Sequence, residues 1–314
     1  MSRLVPLLRR FLLLAILLFA AGFCWYNRDT LALTARLTPL QWLLVIGGYV
    51  GCYWLNALMA CQVQWSRGTQ PRLGEMLVIN AYASILGYAT VLRSGFYSSK
   101  LWFYQQRFGL APSVSLGLQA WVSLLVLMGN ALFGLAYGLW LQAIGHRLPW
   151  VHWTLVLGTL VIVMGVVVVL FQLATLSWLP ARARRWVGNM RDVIASTNAA
   201  EVAKLNVQAI LNIPLQALAL GVLCSAFDLA IPTPYLLLMA LVSNLSLIIA
   251  LTPSNLGVRE FVLWQLLGGL DLSTVTLLGV MMVDRIVQFL ILVVISLCGF
   301  RLLQNGAVQT TQDR

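Results

Sequence analysis

Long apolar runs separated by short polar segments dominate the chain. Eight runs contain about 20 or more residues, the length that an α-helix needs to cross roughly 30 Å of hydrocarbon. They lie near residues 5–26, 39–62, 73–92, 113–142, 150–178, 205–229, 233–252 and 272–300. Two shorter runs, 94–110 and 255–270, each follow a long one directly. The pattern predicts an all-α polytopic membrane protein.

Composition favours a single integral membrane domain over residues 1–314. Apolar residues make up 61% of the chain and charged residues only 9%. The longest polar interval, 181–204, is too short to bury a core of its own. It is amphipathic and basic, so we expect it to lie on the cytosolic leaflet as a linker. The net charge of +11 is explained by basic loops facing anionic lipids, and no nucleic-acid partner is expected.

The distribution of Lys and Arg predicts the topology. If all eight long runs crossed the membrane, ten of these cations would face outward, against the positive-inside tendency. If 73–110 and 233–270 instead form hairpins that enter and leave on one side, thirteen of the 20 face the cytosol. We therefore expect about six full crossings plus two re-entrant helical hairpins. Both termini are then cytosolic, in the cytoplasmic (inner) membrane, and the basic N-terminus is a first crossing and not a cleaved signal.

The same topology divides the chain into two similar halves, about 1–142 and 150–300. Each half reads helix, helix, hairpin, helix, and the two halves begin on opposite sides of the membrane. Gly95 and Gly257 occupy matching positions, and a Leu-Trp pair follows each of them at the same distance. Inverted repeats with interrupted helices are typical of transporters whose site lies between the repeats.

The second interruption carries the residues with the most chemical potential. Pro253 and Gly257 favour a break, and a new helix near Val258 would present unpaired N–H groups at its positive end. Arg259 and Glu260 fall in its first turn. Such a helix start suits a phosphate or a carboxylate. Glu260 is equally suited to a purely structural capping role.

Asp284 and Arg285 lie near the middle of the last apolar run, where an unpaired charge is costly. Consecutive residues point about 100° apart on a helix, so at least one of the two needs a partner elsewhere. We predict that Arg285 pairs with Glu260. The pair could be a structural bridge alone or could also contact a substrate.

In the first hairpin, Arg93 and Lys100 are seven residues apart and share a helical face with Tyr97. Two cations and a phenol suit an anionic headgroup. Alternatively, both cations extend to the membrane interface.

Signals of catalysis are missing from the sequence. The five cysteines lie in apolar segments without metal-ligand spacing, and no nucleotide-binding glycine loop or nucleophile beside a histidine occurs. We expect no metal and no cofactor, and a protein that is not an enzyme.

The stretch from Thr252 to Glu260, followed by Gly269, Ser273 and Arg285, resembles the signature of the lysylphosphatidylglycerol synthase transmembrane, or flippase-like, family. Four residues carry the resemblance: Pro253, Gly257, Glu260 and Arg285. A looser copy in the first half lacks the Pro and the Glu, and comprises Arg93, Gly95, Lys100, Arg107, Gly109 and Ser113. The resemblance implies a bacterial or archaeal cytoplasmic-membrane protein that moves polar lipids between leaflets. The chain ends at Arg314, so we expect it not to aminoacylate lipids itself.

The leading hypothesis is a flippase that moves a polar or anionic lipid, either a phospholipid or a lipid-linked intermediate. Its predicted substrate-binding residues are Arg93, Lys100, Pro253, Gly257, Arg259, Glu260 and Arg285. The alternative is a non-transporting accessory subunit of a membrane glycosyltransferase or lipid-synthesis complex, which would form a stable complex and translocate nothing alone. An intramembrane transferase would need a catalytic acidic pair, which the sequence does not offer.

Overall fold

Ten α-helices form the described part of the chain, and no strand occurs there. The computed structural model describes residues 34–66, 68–90, 94–173, 180–245, 258–268 and 273–305, with Leu18, Gly22, Trp25, Arg28 and Leu270. The helices are α1 (Pro39–Trp65), α2 (Leu73–Ala89), α3 (Ser94–Phe108), α4 (Pro112–Ala143), α5 (Trp150–Leu173), α6 (Ala181–Ala195), α7 (Ala199–Ala226), α8 (Thr233–Leu245), α9 (Val258–Leu267) and α10 (Thr274–Asn305). The all-α class is confirmed, and the predicted first crossing lies largely outside the described residues.

Five helices are long and apolar enough to span a membrane, namely α1, α4, α5, α7 and most of α10. Helix α1 begins where Thr38 and Gln41 form a capping box, with Pro39 as the first helical residue. Helix α7 begins at Ala199 because the side chain of Asn198 accepts from the N–H of Glu201 at 2.7 Å. The last residues of the predicted linker 181–204 therefore belong to α7.

Four shorter helices form two consecutive pairs, α2 with α3 and α8 with α9. They contain 17, 15, 13 and 10 residues. At 1.5 Å per residue, the shortest covers about 15 Å, which is half of the hydrocarbon thickness. The members of each pair pack against each other. These pairs occupy the two segments for which hairpins are predicted.

Helix α7 lies at the centre of the bundle and contacts α1, α4, α8 and α10. It packs closely against α1 at Gly48. A Cβ at this position would lie 2.8 Å from the backbone carbonyl oxygen of Leu215. Glycine therefore allows the two backbones to pack at a distance that a side chain would prevent.

The amphipathic helix α6 lies across one end of the bundle. Asn189 of α6 donates to the hydroxyl of Ser113 at 2.7 Å, at the start of α4. At the same end, Ser66 just after α1 donates to Glu201 in the first turn of α7 at 3.0 Å. We call this the α6 end. The opposite end contains the close approach of the Tyr137 hydroxyl, on α4, to the carbonyl of Pro234 at 3.4 Å.

Candidate functional site

Two consecutive charged residues on α9 pair with two consecutive charged residues on α10. Arg259 Nη2 lies 2.6 Å from Asp284 Oδ2, and Arg285 Nη2 lies 2.7 Å from Glu260 Oε1. Arg285 also donates through Nε to the same oxygen of Glu260, at 2.8 Å. The predicted pair of Glu260 with Arg285 is thus present, and an adjacent pair of opposite polarity accompanies it. We call these four residues the charge quartet.

Polar neighbours complete the coordination of the quartet. Asp284 is fully buried and accepts hydrogen bonds from the hydroxyl of Tyr49 and from Gln288 Nε2, the latter at 3.0 Å to each carboxylate oxygen. Arg259 Nε donates to the hydroxyl of Ser243 at 3.0 Å, which ties the start of α9 to the end of α8. Buried charges persist only when they are paired and hydrogen-bonded in this way.

The quartet lies close to the middle of the bundle. Tyr49 is ten residues from the start of α1, and Asp284 is ten residues from the start of α10. Ten residues of helix correspond to about 15 Å, which is half of the roughly 30 Å hydrocarbon layer. A charged group is very costly in hydrocarbon, so at this depth it persists only where it has a structural or a functional role.

A cavity of about 560 Å³ extends from the quartet towards the α6 end. Residues 49 to 64 of α1 line it, over about 22 Å of helix. The other walls are supplied mainly by α2, α3, α4, α7 and α10. Its polar lining includes Tyr49, Tyr53, Asn56, Asn80, Tyr97, Gln119, Ser123, Asn130, Asn212, Gln216, Asn244 and Gln288. The volume is within the range of small-molecule sites, about 300–1,000 Å³.

Several amide groups in the cavity wall lack a hydrogen-bond partner within the described part of the chain. Neither amide atom of Gln119 has one, although this residue is 95% buried. The Oδ1 atoms of Asn130 and Asn212 are in the same situation. An unsatisfied buried polar group costs about 1–3 kcal/mol, so these positions are suited to a polar ligand.

Lys100 is the charged side chain among the described residues that line the cavity. It lies on α3, is 92% buried, and its Nζ lies 4.3 Å from the centre of the Phe96 ring. A cation over an aromatic ring retains part of its electrostatic stabilisation away from water. The wall therefore presents one buried positive charge among neutral polar groups.

The quartet and the cavity share two side chains. Tyr49 and Gln288 line the cavity and also bind the carboxylate of Asp284. Arg259, Glu260 and Arg285 are not among the described lining residues. The quartet thus closes the cavity near mid-depth, one layer behind its polar surface.

The structure describes four of the seven predicted binding residues. It brings Arg259, Glu260 and Arg285 together and places Lys100 in the cavity wall. Arg93, Pro253 and Gly257 lie outside the described residues.

Sequence reasoning missed the partner of Asp284 and the amide lining. The partner of Asp284 had a signal in the sequence. The neighbours Arg259 and Glu260 stand 25 residues before the neighbours Asp284 and Arg285, and each pair combines opposite charges in an apolar run. Asn and Gln within predicted spans were a signal for the amide lining, because their amides are costly in hydrocarbon. No group of three metal-ligating side chains occurs among the described residues.

No curated protein matches the chain significantly. A family profile, described as the lysylphosphatidylglycerol synthase TM region, matches residues 8–296. This match covers nearly the whole length, in agreement with the motif residues of the second half. The chain is therefore a multi-pass membrane protein that belongs to the lysylphosphatidylglycerol synthase transmembrane family.

Proposed function

We propose that the protein translocates polar or anionic lipids between the leaflets of the cytoplasmic membrane. The observation that carries the proposal is the polar cavity with its buried cation inside an apolar helix bundle. A headgroup needs such a polar path, whereas acyl chains can stay in the bilayer. Membership in a lipid-related membrane family supports the same role. The protein acts as a carrier and not as an enzyme.

The proposed topology has six crossings and two re-entrant hairpins, with both termini in the cytosol. Short helix lengths support the hairpins α2–α3 and α8–α9. In the first hairpin, Glu75 in the first turn of α2 forms an ion pair with Arg107 in the last turn of α3. The two ends of this pair of helices therefore lie on one side, as a re-entrant hairpin requires.

Helix contacts also support the inverted repeat. If α1 to α4 correspond to α7 to α10, each contact in one half should recur in the other. Helix α1 contacts α2 and α4, and α7 contacts α8 and α10. Contacts between the two halves also occur in corresponding pairs. Helix α2 of the first half packs on α10 of the second, and α8 of the second half packs on α4 of the first. A two-fold relation between the halves accounts for all of these contacts.

In this arrangement the cavity is open towards the cytosolic leaflet, and the charge quartet separates it from the outer half. A headgroup enters from the α6 end and meets Lys100. Transfer then requires α9 to move relative to α10. Opening of the ion pairs makes Arg259 and Arg285 available to the headgroup, while Glu260 retains one of them.

A leaflet-resolved assay tests the proposal. Purified protein is reconstituted into liposomes, and movement of a fluorescent anionic phospholipid is followed by chemical quenching of the outer leaflet. We expect Lys100→Gln to slow translocation at least about ten-fold, the effect of losing one charge-assisted hydrogen bond. Lys204→Gln is the matched control, because this lysine is exposed on α7 and is not among the lining residues.

Glu260→Ala and Arg285→Ala are compared in the same assay, with thermal unfolding as the measure of folding. Loss of translocation in folded variants supports their place in the path, and wild-type rates would remove them from it. If wild-type protein moves no lipid and co-purifies with a lipid- or glycan-synthesis enzyme, the accessory-subunit hypothesis replaces the carrier.

A further inference from the structure

We infer that the protein couples lipid movement to protons, and that each anionic headgroup passing the charge quartet is accompanied by one proton carried on Asp284. The inference rests on the proposed function and adds an energy source to it. Its basis is the charge balance of the quartet, which consists of two arginines and two carboxylates and therefore has no net charge. An anion that joins this group needs a compensating positive charge.

A headgroup that binds Arg259 must displace Asp284, the present partner of this arginine. Asp284 then keeps a negative charge in a fully buried position. Such an uncompensated charge is far more costly than a paired one. A proton on the Asp284 carboxylate removes the charge, so the anion and the proton each favour the binding of the other. A proton without the anion leaves Arg259 uncompensated, so we expect neither ligand to occupy the quartet alone.

Hydrogen bonds connect Asp284, and not Glu260, to the cavity. The hydroxyl of Tyr49 donates to Asp284 Oδ1, and Gln288 Nε2 donates to both carboxylate oxygens at 3.0 Å. Both of these donors belong to side chains that line the cavity. Glu260 is not among the described lining residues, and Arg285 binds it through two nitrogens. The proton therefore reaches Asp284, whereas Glu260 keeps Arg285 as its counter-charge.

Tyr49 is suited to pass the proton on, because a phenol hydroxyl both donates and accepts hydrogen bonds. It gives its proton to the Asp284 carboxylate along the existing hydrogen bond and takes another from water that enters the cavity. The O–H bond that Tyr49 loses is replaced in the same step, so the phenol ends neutral. The net change is one proton moved from the cavity to Asp284.

Apart from Glu260, no carboxylate near mid-depth competes for this proton in the described part of the chain. Helices α1, α2, α7 and α9 pack on α10. Their charged side chains at this depth are Arg259 and Glu260, and Arg285 is the charged neighbour on α10 itself. The other titratable groups there are phenols and a thiol, which are neutral at pH 7. They are Tyr49, Cys52 and Tyr53 of α1 and Tyr82 and Tyr88 of α2.

A pH gradient across proteoliposomes that contain the full chain tests the inference. A trace of acyl-labelled fluorescent phosphatidylglycerol is followed by chemical quenching of the outer leaflet, while valinomycin and equal K⁺ hold the membrane potential at zero. One pH unit should concentrate the lipid about ten-fold in the leaflet that faces the alkaline side, because symport equalises the product of lipid and proton activities. This ratio is independent of the orientation of the protein. Protein-free liposomes give the background.

A membrane potential at equal pH separates symport from movement of the anion alone. One proton and one monoanion transfer no net charge, so a potential of about 60 mV should not redistribute the lipid. An anion that moves alone would be concentrated about ten-fold by the same potential. Accumulation that follows the potential and not the pH would overturn the inference and leave the proposed function standing, as would equal distribution under both gradients. Absence of any movement would contradict the proposed function, and the coupling with it.

Asp284→Asn assigns the proton to its site. The amide has the shape of a protonated carboxyl group, so this variant should move lipid to an equal distribution without following the pH gradient. A folded variant that still follows the gradient, or that moves no lipid, would overturn the role of Asp284.

Tyr49→Phe tests the route of the proton and keeps all four charges of the quartet, so it remains informative should Asp284→Asn not fold. It should slow the pH-driven accumulation at least about ten-fold and leave the final ratio unchanged. Tyr82→Phe is the matched control, because Tyr82 is a buried tyrosine on α2 that is not among the lining residues. It should accumulate lipid at the wild-type rate. A wild-type rate for Tyr49→Phe would overturn the route through this hydroxyl.

Discussion

At the scale of single residues, the charge quartet is the most consequential arrangement in the bundle. Removing one member leaves its partner as an uncompensated charge near mid-depth, which is far more costly than removing the whole pair. The exposed pair of Arg191 and Asp192 on α6 provides a contrast, because its N–O distance of 3.0 Å is ordinary but its carboxylate is 65% exposed. Ion pairs in such different surroundings should therefore contribute unequally to stability.

We expect Asp284→Asn to destabilise the folded state by about 3–5 kcal/mol, because Arg259 loses its counter-charge in a buried site. Asp192→Asn should cost less than about 1 kcal/mol, as solvent screens the exposed pair. Thermal or denaturant unfolding of the detergent-solubilised variants gives the comparison. The double variant Arg259→Met with Asp284→Leu should recover part of the loss. Similar losses for the two Asp→Asn variants would show that the quartet carries no buried charge.

At the scale of helices, the crossing of α1 and α7 depends on Gly48. We expect Gly48→Ala to destabilise the protein by about 1–3 kcal/mol, since the added methyl group would press against the carbonyl of Leu215. Gly47→Ala is the matched control in the same helix, because a Cβ there meets nothing within 4 Å. Unfolding midpoints of the two variants measure the difference. Alanine favours a helix more than glycine does, so Gly47→Ala should not destabilise the protein, and a loss as large as that of Gly48→Ala would contradict the role of the crossing.

The helices themselves were largely predictable from the sequence. An apolar run long enough to span the bilayer predicts a helix, because backbone groups at that depth must form their hydrogen bonds within the segment. This reasoning predicts α1, α4, α5 and α10. The start of α7 was not predicted. Its first turns carry Glu201 and Lys204, so the apolar pattern begins only after the helix does. A cap such as Asn198 marks a helix start through hydrogen bonding, which apolar patterning does not register.

At the scale of the whole molecule, labelling of single cysteines with a membrane-impermeant thiol reagent tests the two-hairpin topology. The five native cysteines are first replaced by alanine. Gln70→Cys and Gln106→Cys flank the first hairpin and should be labelled from the cytosolic side. Thr233→Cys and Ser273→Cys flank the second and should be labelled from the outside. These four side chains are exposed. Labelling of the two members of either pair from opposite sides would contradict a re-entrant hairpin.

The functional site was predictable only in part. Charges within apolar runs pointed to Glu260 and Arg285, because the cost of an unpaired charge in hydrocarbon is large enough to require a partner. The cavity was not predictable, since it depends on how α1, α4 and α7 are spaced. Neutral amides such as Gln119 give a weak signal in the sequence, and only their common direction in three dimensions makes them a site.

The two hairpins are held at different places. An ion pair joins Glu75 and Arg107 at the base of the first hairpin, whereas the bonds of Arg259 to Ser243 and Asp284 hold the start of α9 in the second. A symmetric exchanger would spend equal time in its two orientations. In the proposed carrier the restraints are unequal, so we expect its two orientations to differ in free energy and one of them to be the resting state. For the proposed carrier, initial rates should therefore differ between lipid supplied only to the inner leaflet and the same amount supplied only to the outer leaflet, although the final distribution does not.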